Sequence, residues 1–266
     1  MPTIDEAFAK LKGEGRKAFV PFVTAGAPDL EFTAVALTKL AESGAAVCEV
    51  GIPYSDPIAD GPVIQASYTR ALARKIKLAD ILATLGHVTP TLPCPVVTMV
   101  SYAIVFRHGP EQYVQMCKQM GVAGAIVPDL LVEEADDFAA ICRKHDFSLI
   151  QLVTPTTSRE RQKRIAEQTT GFLYYVSVAG ITGERKELPP ELADNLAWLR
   201  EQTDLPICVG FGVSGPEQAK QLKDLADGVI VGSAIVRRIA EAETKGKDWA
   251  LNEIGEFARE MVAALA

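Results

Sequence analysis

Eight short apolar runs recur along the chain, and their spacing limits what it can fold into. They span residues 18–24, 46–51, 95–100, 125–127, 148–153, 172–178, 206–210 and 228–231. Each is rich in Val and Ile and apolar on both faces, as a parallel strand covered by helices must be. The stretches between them read as helices. Asp29 is placed to cap the run from Leu30, whose apolar residues fall three or four apart until Gly44 stops it. Thr3 and Glu6 have the spacing of a capping box, and Pro216 opens a helix over 217–225 where its missing N–H costs nothing. Eight β/α alternations match a (β/α)8 TIM barrel in size and count; a doubly wound open sheet is the rival arrangement. With no internal repeat and no linker, the expectation is one barrel domain over 1–266.

Strand starts lie 22 to 34 residues apart, except that 49 residues separate the second from the third. The excess carries Gly51–Pro62 and an extra helical stretch. A smaller enlargement follows the sixth run, through Ala179-Gly-Ile-Thr-Gly-Glu-Arg-Lys-Glu-Leu-Pro-Pro. Loops that follow barrel strands build the C-terminal face, where active sites of this fold reside. The two enlarged loops therefore attract attention first.

Composition excludes several classes. Twenty-seven basic against 34 acidic residues leave a net charge of −7, with no basic stripe for nucleic acid. The longest apolar runs fall short of a membrane span, and the first residues lack the pattern of a signal peptide. Five scattered cysteines without a C-x-x-C pair argue for a reducing compartment, and the expectation is a cytoplasmic protein.

Glu49 is the only charge in its apolar run. Alternation puts Val47, Glu49 and Gly51 on one face and Cys48 and Val50 on the other. Either face is a poor place for an ionised carboxylate. Burial would raise its pKa and prepare a general acid/base, although a structural Glu bonded to backbone fits as well. Asp56 and Asp60 sit in the enlarged loop in Asp-Pro and Asp-Gly-Pro contexts, which are also turn formers. Two carboxylates in different environments can divide acid and base tasks.

Gly210-Phe-Gly-Val-Ser-Gly215 is formally a dinucleotide fingerprint, but only one strand remains after it and no acid follows at the required place. The alternatives are plain tight turns or, the favoured reading, a phosphate cradle after the seventh and eighth strands, made by Gly210, Phe211, Gly212, Gly232 and Ser233. Three separated histidines give no ligand pair, so no metal is expected, and no Lys lies inside a strand to form an imine. These features suggest cofactor-free proton transfer on a phosphorylated substrate. Thr182 could bond a carboxylate from the sixth loop. Phe22 and Tyr102 could line a slot for an aromatic ring, or simply be core.

Five stretches resemble the tryptophan synthase alpha chain family. They are Pro21-Phe-Val-Thr-Ala-Gly-Ala-Pro-Asp, Glu49-Val-Gly-Ile-Pro-Tyr-Ser-Asp-Pro-Ile-Ala-Asp-Gly-Pro-Val-Ile-Gln, Val178-Ala-Gly-Ile-Thr-Gly, Val209-Gly-Phe-Gly-Val-Ser and Ala226-Asp-Gly-Val-Ile-Val-Gly-Ser-Ala-Ile-Val. They run in order over nearly the whole chain. The resemblance implies a carbon–carbon lyase of tryptophan biosynthesis, cleaving indole-3-glycerol phosphate to indole and glyceraldehyde 3-phosphate. It assigns acid/base catalysis to Glu49 and the indole N–H to Asp60. Phe22, Ile64, Tyr102, Val127 and Tyr174 would pack around the substrate, Thr182 would close its loop onto Asp60, and Gly183 would join the phosphate cradle. It further implies a beta subunit partner in a tetramer of two alpha and two beta chains. Pyridoxal phosphate is expected in that partner and not here, and Pro53, Asp56 and Pro57 would help form the interface. Two departures stand out: Ile104 occupies a position where the family often carries Asn, and the stretch between Thr182 and Pro189 is a little shorter than in the best-known members. A stand-alone indole lyase, another phosphate-binding barrel isomerase and a catalytically weak binding partner are the other readings.

Overall fold

The structure, a computed structural model, describes residues 2–58, 60–177, 190–210 and 212–266. Among them are nine strands: β1 (Ala18–Thr24), β2 (Cys48–Gly51), β3 (Val96–Met99), β4 (Val122–Ile126), β5 (Ser148–Ile150), β6 (Leu152–Val153), β7 (Leu173–Val176), β8 (Ile207–Gly210) and β9 (Gly228–Val231). Every pairing is parallel, in the order β5-β4-β3-β2-β1-β9-β8-β7-β6. The two ends of that order, β5 and β6, are halves of a single run interrupted at Gln151. The sheet therefore closes on itself as a TIM barrel, and the open-sheet alternative is removed. The loop expected after the sixth run follows β7, and the cradle glycines follow β8 and β9.

Apolar residues separate into two layers as strand alternation requires. Val20, Phe22, Val47, Val97, Ile126, Ile150, Tyr174 and Ile230 fill the interior. Val23, Cys48, Val50, Val96 and Val127 face outward into the layer shared with the helices. The leading helix, Ile4–Gly13, closes the floor: Ile4 and Phe8 join the inner layer, and Phe8 meets Phe172 at 5.7 Å between ring centroids. Its capping box is formed, with Thr3 accepting from the Glu6 N–H and Glu6 accepting from the Thr3 N–H. Asp29 caps Leu30–Glu42 by accepting from the Phe32 N–H at 2.8 Å.

Boundaries differ from the sequence reading where glycine misleads it. The fourth strand begins at Val122, earlier than the expected 125, because Gly124 continues the strand instead of breaking it. A Cβ there would stand 2.7 Å from the Ser148 carbonyl oxygen, so Gly124 permits the close approach of β4 and β5. The helix expected over 217–225 is Pro216–Leu222.

Candidate active site

Glu49 projects into the barrel interior from β2, on the same face as Val47. It is fully buried, and neither carboxyl oxygen has a hydrogen-bond partner among the described residues. In the parallel register it stands opposite Phe22 of β1 on one side and Val97 of β3 on the other. Burial raises its pKa to about 8, with a further contribution from the charge of Asp60. Such a group is protonated at neutral pH yet close to titration, the condition an acid/base catalyst needs.

Asp60 reaches the same chamber from the loop after β2. It is 9% exposed, and burial lifts its pKa to about 6. The loop is tied to the helix that follows it, Pro62–Ala73: the Gln65 side-chain amide donates to the Asp60 carbonyl at 2.7 Å and to the Pro57 carbonyl at 3.2 Å. Gly61 is the N-cap and Pro62 the first helical residue, so Asp-Gly-Pro launches a helix. Two acids in one chamber thus differ in protonation at neutral pH, Asp60 charged and Glu49 neutral.

Phe22, Ile64 and Tyr174 belong to the inner layer that surrounds this pair. Gly51 and Gly210 leave space for the rings. A Cβ on Gly51 would lie 2.4 Å from Phe22 Cζ, and one on Gly210 would lie 2.4 Å from Tyr174 Oη. Tyr102 and Val127 lie elsewhere. Val127 is in the outer layer, with Ile126 taking the inward position. Tyr102 packs on Phe106 and Phe138, with centroids at 6.3 and 6.0 Å. Ile104 also packs against the outer layer.

The cradle glycines gather at the C-terminal ends of β8 and β9. Gly210 ends β8, and Gly212 holds φ +86°, a conformation open to glycine and costly for other residues. Gly232 is the N-cap of Ser233–Ala240, so Ser233 and its neighbours present the unpaired N–H groups of a helix start. The Gly232 Cβ position is 3.6 Å from Phe22 Cδ1. Phe22 also stands opposite Glu49 in the strand register, so the helix start and the acid lie to either side of one residue. Thr182, Gly183 and Phe211 lie outside the described residues.

In the loop after β2, where an interface was expected, Pro53 is buried, Asp56 is exposed and accepts from the Ser55 hydroxyl at 2.7 Å, and Pro57 is half-buried. Beside them Ile58 is 85% exposed. Phe106 and Leu131, also large and exposed, lie on the segments after β3 and β4. Sequence reasoning missed Tyr54 and Tyr68, which touch at 5.7 Å between centroids beside the carboxylate pair. The signal was available for Tyr68: it stands four residues beyond Ile64, on the same helical face.

A sequence profile described as "Tryptophan synthase alpha chain" matches residues 8–266. The tryptophan synthase alpha chain of Rhodopirellula baltica is 54% identical over 275 residues, covering 100% of this chain and 99% of the relative. That of Synechocystis sp. is 45% identical, with both chains fully covered. The crystal structure of the alpha chain from Legionella pneumophila superposes with a TM-score of 0.90 at 38% identity, over 100% of this chain and 97% of that one. Aminoacrylate-bound tryptophan synthase from M. tuberculosis gives 0.88 at 29% identity, over 99% of each chain. The chain belongs to the tryptophan synthase alpha chain family.

Proposed function

We propose that, in the retro-aldol cleavage of indole-3-glycerol phosphate that the chain performs as a member of this family, Glu49 moves the protons and Asp60 holds the charge. The carbon–carbon bond breaks only if the indole ring carbon gains a proton and the adjacent side-chain hydroxyl loses one. Glu49, neutral at pH 7, gives its proton to the ring carbon and becomes a carboxylate. The ring nitrogen then carries positive charge, and the Asp60 carboxylate, accepting the N–H, stabilises it. Glu49 next takes the hydroxyl proton as the bond electrons return to the ring. Glyceraldehyde 3-phosphate and indole result, and Glu49 ends protonated as it began. The observation that carries this reading is the pair of buried carboxyls with separated pKa values, about 8 and about 6.

Phosphate binding is assigned to Gly210, Gly212, Gly232 and Ser233, with Phe211 and Gly183. The helix start after β9 supports this, since N–H groups and dipole both favour an anion. Phe22, Ile64 and Tyr174 are assigned to the indole and glycerol portions. Tyr102, Val127 and Thr182 join the proposal from the family resemblance alone.

A beta subunit is the proposed partner, in a tetramer of two alpha and two beta chains, with pyridoxal phosphate belonging to the beta chain. The exposed Ile58, Phe106 and Leu131 support an apolar contact around Pro53, Asp56 and Pro57. Incubation with indole-3-glycerol phosphate, with and without a purified beta subunit, tests both parts. Indole release that rises when the beta subunit is added is the expected result; no release in either case contradicts the assignment.

A further inference from the structure

The chamber that holds Glu49 and Asp60 contains a third polar group that the reaction as derived leaves idle. Tyr68 is 1% exposed, and its hydroxyl has no hydrogen-bond partner among the described residues. Leaving a buried hydroxyl unpaired costs about 1–3 kcal/mol, so such groups call for an explanation. The helix Pro62–Ala73 that carries it is fixed in place. Ser67, the preceding residue, meets the Thr24 hydroxyl of β1 at 2.6 Å and donates to the Ile64 carbonyl at 2.7 Å. This anchor directs the phenol inward. Its oxygen lies 2.7 Å from the point a Gly51 Cβ would occupy, beside the Phe22 ring and two residues along the strand from Glu49.

The groups facing Tyr68 and Asp60 are Glu49 from β2, Tyr54 from the loop after β2 and Tyr174 from β7. Asp129, after β4, acts on Tyr54, and Cys208 of β8 acts on Tyr174. No lysine, arginine or histidine among the described residues contributes to the shifts of Glu49, Asp60, Tyr54, Tyr68 or Tyr174. A charge in this chamber therefore has no counter-ion from the described part of the barrel, and neutral donors must hold it. Of the two acids, Asp60 acts on Tyr68 more strongly than Glu49 does.

We infer that Tyr68 is a positioning residue for the reaction, donating its unpaired hydroxyl to the ionised Asp60 carboxylate and so keeping that group charged and aimed at the indole nitrogen. The inference rests on the roles given above to Glu49 and Asp60. Donation from the phenol to the ionised Asp60 satisfies both groups at once. Glu49, farther along the strand, keeps its proton for the ring carbon.

Tyr68→Phe removes the O–H and keeps the ring against Tyr54. Tyr175→Phe is the control, since that buried phenol sits on the outer face of β7. The pH dependence of indole formation is measured for the wild-type chain and both variants, with thermal unfolding alongside. In Tyr68→Phe the acidic limb is expected to rise by about one unit, which is a tenfold change in the ionisation constant. Turnover at neutral pH is expected to fall about tenfold, with KM within about twofold and the melting temperature unchanged or higher. Tyr175→Phe is expected to keep the wild-type limb. A Tyr68→Phe limb identical to wild type, or a loss of activity expressed only as a higher KM, would overturn the inference. Titration of the Asp60 carboxyl carbon by NMR in the free protein reads the same shift without substrate. If the wild-type chain releases no indole, the mechanism fails, and this titration still decides the role of Tyr68: a rise of about one unit in Tyr68→Phe supports it and no rise refutes it.

Discussion

Phe22 of β1 stands directly across from Glu49 of β2 in the parallel register, and its ring also lies against Gly232 at the start of the helix Ser233–Ala240. One aromatic side chain thus spans the distance between a buried acid and an anion-ready helix start. A substrate with a planar apolar ring and a phosphate could lie along this ring, its ends toward the acid and the helix start.

The pH dependence of stability follows from the same burial. Glu49 rises from 4.5 to about 8 and Asp60 from 3.8 to about 6. Between those values the folded chain binds more protons than the unfolded chain, so stability falls as pH rises. The contribution is full below the unfolded values, declines between about pH 4 and 6 for Asp60 and between about pH 4.5 and 8 for Glu49, and levels above. At ~1.4 kcal/mol per pKa unit the loss reaches several kcal/mol. Glu49→Gln keeps the shape and removes the titration, so it is expected to be clearly more stable than wild type at pH 8 and nearly equal at pH 5. Urea unfolding at the two pH values checks this. Equal gains at both pH values, or none at pH 8, would count against a strained, buried Glu49.

Gly51→Ala addresses the shape of the chamber. The added Cβ would meet Phe22 Cζ at 2.4 Å and Tyr68 Oη at 2.7 Å, and both side chains are buried. Overpacking of this kind costs about 1–3 kcal/mol and would displace Phe22. Denaturant unfolding should show that loss, and indole formation should fall with it. Gly13→Ala is the comparison, because nothing beyond its own helix and chain neighbours lies within 4 Å of its Cβ position. It sits in a helix and is expected to stabilise by about 0.5–1 kcal/mol.

Asp60→Asn and Ser233→Ala separate charge stabilisation from anchoring. The first removes the charge opposite the developing cation and is expected to lower kcat by about 100-fold or more. The second removes one donor from a cradle that retains its backbone N–H groups, and is expected to raise KM only a few-fold. Steady-state kinetics on indole-3-glycerol phosphate distinguishes them. Equal losses in kcat would contradict the division.

Much of this was legible in the chain because strand and helix periods are set by local chemistry. The inward face of β2 follows from alternation through Val47, Glu49 and Gly51, and the enlarged loop after it pointed to Asp60. Other features were hidden because they depend on register between distant segments. Gly124 fell outside the run expected from 125, yet it lies within the strand and admits Ser148 of the neighbouring one. Val127 was expected near the substrate from the family resemblance, and alternation along β4 puts Ile126 in the inner layer and Val127 in the outer one. Tyr102 was named for its aromatic ring, while the Asp129 carboxylate, accepting from the Tyr102 N–H at 2.7 Å, fixes the start of a helix on which the ring packs against Phe106 and Phe138. Tyr68 carried the spacing but no chemical flag, since its partners become apparent only once the barrel closes.

The most direct measurement is single-turnover indole release by Glu49→Gln on indole-3-glycerol phosphate, together with binding of a phosphate-bearing substrate analogue. The neutral amide cannot pass a proton to the ring carbon or receive one from the hydroxyl. Release is expected to fall by at least about 100-fold, with analogue affinity within a few-fold of wild type. Near-normal release by this variant would contradict the account, because no other described group in the chamber combines full burial with a pKa of about 8.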